Sequence, residues 1–128
     1  MHEHPPAASR ARPTPASVIE DTYQAWLWLD ERASGFPALA RRQVGHRALD
    51  AILDALTAVT EAAYLPRGAP RARRLADANR SLTVLRILLR GARDRRYLSL
   101  GQHEHAMKLV DGIGRQVGGW LRSEGGAQ

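Results

Sequence analysis

Between residues 75 and 92 apolar side chains recur in steps of three and four: Leu75, Ala78, Leu82, Leu85, Leu89 and Ala92. A half-buried strand alternates every second residue, so this spacing dictates a helix with one apolar stripe. One stripe cannot stay in water, so other elements of the same chain must cover it. Residues 48–63 offer Ala48, Leu49, Ile52, Leu53, Leu56, Val59, Thr60 and Ala63 at a period near 3.6. Further on stand Ala106, Val110, Ile113, Val117 and then Trp120 or Leu121. Near the start, Ile19, Tyr23, Trp26 and Leu27 follow at helical spacing. No stretch alternates as a strand would. The prediction is an all-α protein, an antiparallel up-down four-helix bundle with short connections.

Punctuation residues place the boundaries. Ser17 and Glu20 read as a capping box opening the first helix. Ser34-Gly35 closes it, with Gly35 expected to supply a left-handed stop. The second helix is expected from Pro37 to Tyr64, where Pro66, Gly68 and Pro70 break it. The third starts between Arg71 and Arg74 and runs to about Arg95. Ser99 and Gln102 form a second capping box, so the fourth begins at Leu100 and ends at Gly125-Gly126. At 128 residues the chain suits one core. Residues 1–16, with Pro5, Pro6, Pro13 and Pro15, are expected to be a disordered tail. Residues 17–122 form the bundle, and residues 123–128 are expected to fray.

Catalytic chemistry finds little to use. There is no cysteine, which excludes disulfides, thiolate metal sites and thiol nucleophiles. His2 and His4, like His103 and His105, are two residues apart. On a helix such a pair diverges by about 200° and cannot grip one ion. Glu-x-x-His pairs of the di-iron type do not occur in the third and fourth helices. Ser81, Ser99 and Ser123 lack partners for a triad, and Ser99 already serves as a cap. No strand precedes a Gly-rich phosphate loop. The expectation is a protein that is not an enzyme and needs no metal or cofactor. No apolar run approaches the roughly 18 residues that span a bilayer, and the N-terminus lacks the apolar core of a signal peptide. A cytoplasmic location and no membrane partner follow as expectations.

Charge is the strongest functional signal. The formal net charge is +6. An Arg-over-Lys bias also follows from a GC-rich genome, so the charge and its placement carry the argument. Residues 67–96 hold ten arginines against Asp77 and Asp94, whereas residues 17–66 are net acidic. Within that segment Arg86, Arg90 and Arg93 fall within about 60° on a helical wheel and flank the apolar stripe. Arg73 and Arg80 occupy another face, Arg71 and Arg74 lie at the start, and Arg95 and Arg96 at the end. This set is the candidate nucleic-acid surface. The other reading is a salt-bridged, solvated face, for which Asp50, Asp54 and Glu61 supply an acidic stripe on the second helix.

Self-association has its own signs. Trp26 and Trp28 cannot share one helix face, so one of them leaves the core, and Trp28 is the candidate interface residue. The fourth helix carries Gly112, Gly114, Gly118 and Gly119, each costing roughly 0.8–1 kcal/mol relative to Ala. Gly114 and Gly118 share a face and suit close packing, between subunits in the favoured reading; fraying is the alternative. The acidic stripe of one copy meeting a basic patch of the next would suit a head-to-tail ring.

The stretch LWLDERASGFPALARRQVGHRALDAILDAL, then EAAY, then ANRSLTVLRILLRGARDRRYLSLGQHEHAMKLVDGIGRQVGGWLR resembles the accessory variability determinant (Avd) family of diversity-generating retroelements. The WL…FP, YLSL and GGWL blocks carry the likeness, over roughly residues 23–122. The same superfamily includes proteins encoded in intervening sequences of 23S ribosomal RNA genes. Those typically carry a Ser-Ile-Pro-Ser-Asn-Ile-Ala-Glu-Gly-like stretch in the second helix, where this chain reads ALDAILDALTAVTEAAY. The resemblance implies a four-helix bundle assembled as a homopentameric ring, with no active site of its own. It also implies a reverse transcriptase as partner and a template RNA, with cDNA made for mutagenic retrohoming. The alternatives are a stand-alone bundle of the ribosomal-RNA intervening-sequence type and an oligomeric scaffold that binds only protein.

Overall fold

The structure is a computed structural model and describes residues 14–126. Most of the Pro-rich tail, with His2 and His4, lies outside these residues. Every regular element among them is helical.

Helix α1 spans Pro15–Ser34. Its N-cap is Thr14, whose side chain accepts from the Ser17 amide at 3.1 Å, while Ser17 Oγ accepts from the Thr14 amide at 3.0 Å. Ser17 is therefore the third helical residue and not the cap. The expected Ser17–Glu20 box gives way because Pro15, with φ preset, begins the helix three residues earlier. Gly35 closes α1 at φ −88°, in the right-handed region, so the predicted left-handed stop is absent. The turn is held instead by Gly35 N–H to Arg32 O and Phe36 N–H to Ala33 O, with the buried Phe36 ring drawing the chain inward.

Helix α2 has three consecutive parts: an α turn at Ala38–Ala40, a π-helical stretch at Arg41–Gly45 and a long arm at His46–Tyr64. Pro37 precedes it with an extended backbone. Helix α3 spans Ala69–Asp94, starting slightly earlier than the arginines suggested. Helix α4 spans Leu100–Gly126. Its predicted capping box is present, with Gln102 N–H donating to Ser99 Oγ and Ser99 N–H to Gln102 Oε1, both at 3.0 Å. The helix continues through Gly126, and Glu124, within the stretch expected to fray, is buried.

Side-chain pairings show that neighbouring helices run antiparallel. Ser17 and Asp21 of α1 meet Gln116 of α4, while Trp28 meets His105. Glu61 of α2 meets Arg74 of α3, and Arg86 of α3 meets Asp111 of α4. Each helix thus packs on two others around one core, in a four-helix bundle.

Which side chains fill that core differs between helices. On α3 the predicted stripe Leu75, Ala78, Leu82, Leu85, Leu89 and Ala92 is entirely buried. On α4 Ala106, Val110, Ile113 and Val117 are buried as expected. On α2 the buried face is Ala48, Ala51, Ile52, Ala55, Ala58, Val59 and Ala62, with Leu49 and Leu56 at its edge and Leu53 exposed. On α1 Val18, Thr22, Ala25, Leu29 and Ala33 point inward, whereas Tyr23 and Leu27 are exposed. The leucines of α3 need room, and an alanine face on α2 provides it. Thr22 is tolerated at full burial because its hydroxyl donates to Val18 O at 2.7 Å.

Candidate nucleic-acid interface

Helix α3 carries the arginine segment, and the fold divides it sharply. Near its start Arg71 is half-buried. Its Nε donates to Ala62 O at 3.1 Å and Leu65 O at 3.0 Å, capping the end of α2. Its Nη1 reaches Glu124 Oε2 at 3.2 Å, and the guanidinium lies 5.7 Å from the Trp120 ring centre. Burial alone would push the Glu124 carboxyl up. The Gly68 amide, the Arg71 hydrogen bond and the charges of Arg71 and Arg67 outweigh it and hold the pKa below the ordinary value. Arg74 pairs with Glu61 and Asp77, and Arg80 also pairs with Asp77.

Arg86 bonds Asp111 Oδ1 at 2.9 Å. Its guanidinium lies over Gly114, where a Cβ would stand 2.6 Å from Arg86 Nη2. Within the protomer, then, the missing side chain at 114 admits an arginine rather than a second helix. Gly118 likewise faces Arg122 of its own helix. Arg93 pairs with the adjacent Asp94 at 2.9 Å.

The remaining arginines are different. Arg73, Arg90, Arg95 and Arg96 are exposed, and no carboxylate among the described residues pairs with them. Three of the four lie at the C-terminal end of α3. Arg96 adopts φ 63°, the one non-glycine residue with positive φ among the described residues. There Arg96 N–H bonds Arg93 O at 2.9 Å and Tyr97 N–H bonds Ala92 O at 2.8 Å, the paired bonds of a Schellman stop. Glycine usually fills this position because it carries no Cβ penalty. Here an arginine is held in it, with Tyr97 stacked 5.6 Å from Phe36.

Arg95 lines a hollow of about 390 Å³ with Ala40, Gln43, Val44, Gly91 and Tyr97, which brings the π-helical stretch beside it. Arg41 and Arg42 of that stretch are exposed. They extend the basic end of the bundle, and the sequence reading missed them. Summing charge over residues 17–66 submerged them among acids that the fold places elsewhere. The signal was available in the local run Arg41-Arg42.

The candidate interface residues are spread over other faces. Asp50 and Asp54 are exposed on α2, and Glu61 is engaged by Arg74. Trp26 and Trp28 are both half-buried, so the surface is populated by Tyr23 and Leu27 instead. Trp28 stacks 4.9 Å from His105, takes Arg32 at 5.4 Å, and lines a hollow of about 350 Å³ with Gln24, Leu27, Glu31 and Leu109. His103 faces another way. Its Nε2 is buried without a hydrogen-bond partner; burial first, then the Arg93 charge, lower its pKa against a smaller opposing effect of Asp94. Among the described residues no group of three or more His, Asp or Glu side chains could hold a metal ion. No described helix is long and apolar enough to cross a membrane.

The profile of the bAvd-like family matches residues 21–124, nearly the whole bundle. The chain is a member of the bAvd-like family. No curated protein matches it. For a bAvd-like chain, the matched span covers α1 from Asp21 onward, all of α2 and α3, and α4 as far as Glu124. Both the exposed arginine end and the Arg71–Glu124 junction therefore lie inside the family's own domain.

Proposed function

We propose that this bAvd-like protein is a non-enzymatic accessory subunit of a diversity-generating retroelement. In this reading it binds the element's reverse transcriptase and nucleic acid, template RNA or cDNA, and supports mutagenic cDNA synthesis and retrohoming. Family membership supports the accessory role. The observation that carries nucleic-acid binding is the exposed Arg90, Arg95 and Arg96 at the C-terminal end of α3, with no paired carboxylate among the described residues. Arg42, also exposed, belongs to the π-helical stretch whose Gln43 and Val44 line the same hollow as Arg95. Guanidinium groups left to solvent can exchange water and counterions for phosphates at little cost. Arg73 adds an exposed charge near the start of α3, at the other end of the bundle. Contacts of this kind fix position without reading bases, so sequence preference is expected to be slight.

The assembly proposed is a homopentameric ring, built head to tail through the Asp50 and Asp54 stripe and the aromatic surface around Tyr23, Leu27 and Trp28. Exposed Tyr23, Leu27 and Leu53 support an apolar contact there. Repetition of the basic end on every subunit would raise affinity through avidity. Co-expression with a reverse transcriptase of a diversity-generating retroelement, followed by co-purification and RNA binding at graded salt, tests the function. Light scattering should give about five times 14.1 kDa. A monomer at micromolar concentration that retains neither polymerase nor RNA would overturn the reading.

A further inference from the structure

The last two turns of α4 are built unlike the rest of the bundle. Up to Val117 the helix is fastened by apolar burial, through Ala106, Val110, Ile113 and Val117. Beyond Val117 no described apolar side chain is fully buried: Trp120 and Leu121 cover the core edge only in part, and Arg122 and Ser123 are exposed. Gly118 and Gly119 stand at the changeover. Among the described residues, the one buried side chain further on is a carboxylate, Glu124, at 6% exposure. Its Oε1 accepts from the Gly68 amide at 3.1 Å and its Oε2 from Arg71 at 3.2 Å, while Arg67 Nη2 donates to Ser123 O at 3.1 Å.

We infer that residues 118–124 form a strap, with Gly118-Gly119 as hinge and Glu124 as latch, which opens locally while the rest of the bundle stays folded. Three observations converge on this. Paired interior glycines lower helix stability where the strap begins and give it a place to bend. The strap's tight contacts are polar, and polar contacts exchange for water at small net cost, unlike the buried stripe before it. All of them converge on one junction, the α2–α3 turn, so they are lost together. Opening withdraws the only carboxylate among the described residues that pairs with Arg71, and uncovers the Trp120 face against which that guanidinium lies. The strap thereby screens one cation of the basic segment when shut.

Hydrogen exchange on the full chain tests this. In the wild type, amides of residues 120–124 are expected to exchange at least tenfold faster than those of Val110–Val117. Glu124→Gln keeps the side chain's shape and removes its charge. It should speed exchange of residues 120–124 about tenfold and leave Leu82–Leu89 unchanged. Adding Gly118→Ala and Gly119→Ala should slow it again, by roughly fivefold for each alanine. Both alanines have room, the nearest atoms being Arg122 Nη1 at 3.4 Å and Arg122 Nη2 at 3.8 Å from the new Cβ positions. Wild-type strap amides as protected as Val110–Val117, or a Glu124→Gln variant that loosens α3 and α4 uniformly, would overturn the hinge and latch.

Discussion

The two ends of α3 carry arginines in similar number and use most of them in opposite ways, Arg73 at the start and Arg93 at the end being the exceptions. At the start, Arg71 is turned inward, bonded to carbonyls of α2 and to a buried carboxylate, and Arg74 is held by two acids. At the other end, Arg90, Arg95 and Arg96 project into solvent. Residue type is the same throughout, so the difference comes from what the fold brings alongside. The α2–α3 turn is covered by the end of α4 and its Glu124, whereas the α3–α4 connection is left open beside the π-helical stretch of α2. An arginine count thus overstates the nucleic-acid surface and understates the structural one.

The largest expected effect lies at the closed end. Arg71→Met removes the two carbonyl caps and frees the Glu124 latch to open into water, and should cost about 2 kcal/mol in chemical unfolding, about 1 for each lost cap. The same junction should weaken in acid. The Glu124 carboxyl titrates lower in the folded chain than its ordinary value of 4.5, so its contribution is complete above that value and fades as pH falls through the folded pKa. A wild-type stability profile flat from pH 6 to pH 3 would contradict this.

At the open end the expected change is in binding rather than stability. Reversing Arg90 and Arg95 to Glu should leave the unfolding midpoint nearly unchanged and weaken RNA and DNA binding. It should also reduce the slope of log affinity against log salt by about 1.5, from two phosphate contacts at roughly 0.7–0.9 each. If the ring dissociates instead, these arginines serve subunit ion pairs, and the contrast between the two ends is redrawn. The smallest effect is expected at Arg96. Arg96→Gly relieves a left-handed backbone and should stabilise the fold by up to about 1 kcal/mol, while removing one phosphate contact. A loss of stability would mean that the Arg96 side chain supports the fold.

Much of this architecture was legible in the sequence, but unevenly. The stripe on α3 was readable to the residue because Leu75, Ala78, Leu82, Leu85, Leu89 and Ala92 keep their spacing over about five turns, whereas the rival set Val84, Ile87 and Leu88 lasts barely one turn and is left exposed or half-buried. On α2, Ala51, Ile52 and Leu53 are consecutive and each begins a run of helical period. Only the demand of the facing leucines decides that alanine goes inward and Leu53 outward. The same ambiguity moved α1 from Ile19 and Tyr23 to Val18 and Thr22. The Ser99–Gln102 cap was readable because both partners are local, whereas Arg71 and Glu124 are 53 residues apart and only the closed bundle brings them together. Local runs located the basic segment; tertiary contacts then decided which of its charges remain available.

The π-helical stretch at Arg41–Gly45 has a geometric consequence for the open end. Such a stretch accommodates one residue more than an α-helix would over the same axial length. Winding all of its residues into regular α-helix instead would keep the alanine face of the long arm in register with α3. Everything before it would turn by about 100°. Phe36 would leave its place against Tyr97, and Ala40 would swing away from the hollow it lines with Arg95. The extra residue acts as a phase shifter between the corner that anchors α1 and the arm that builds the core, setting the azimuth at which the basic end faces outward.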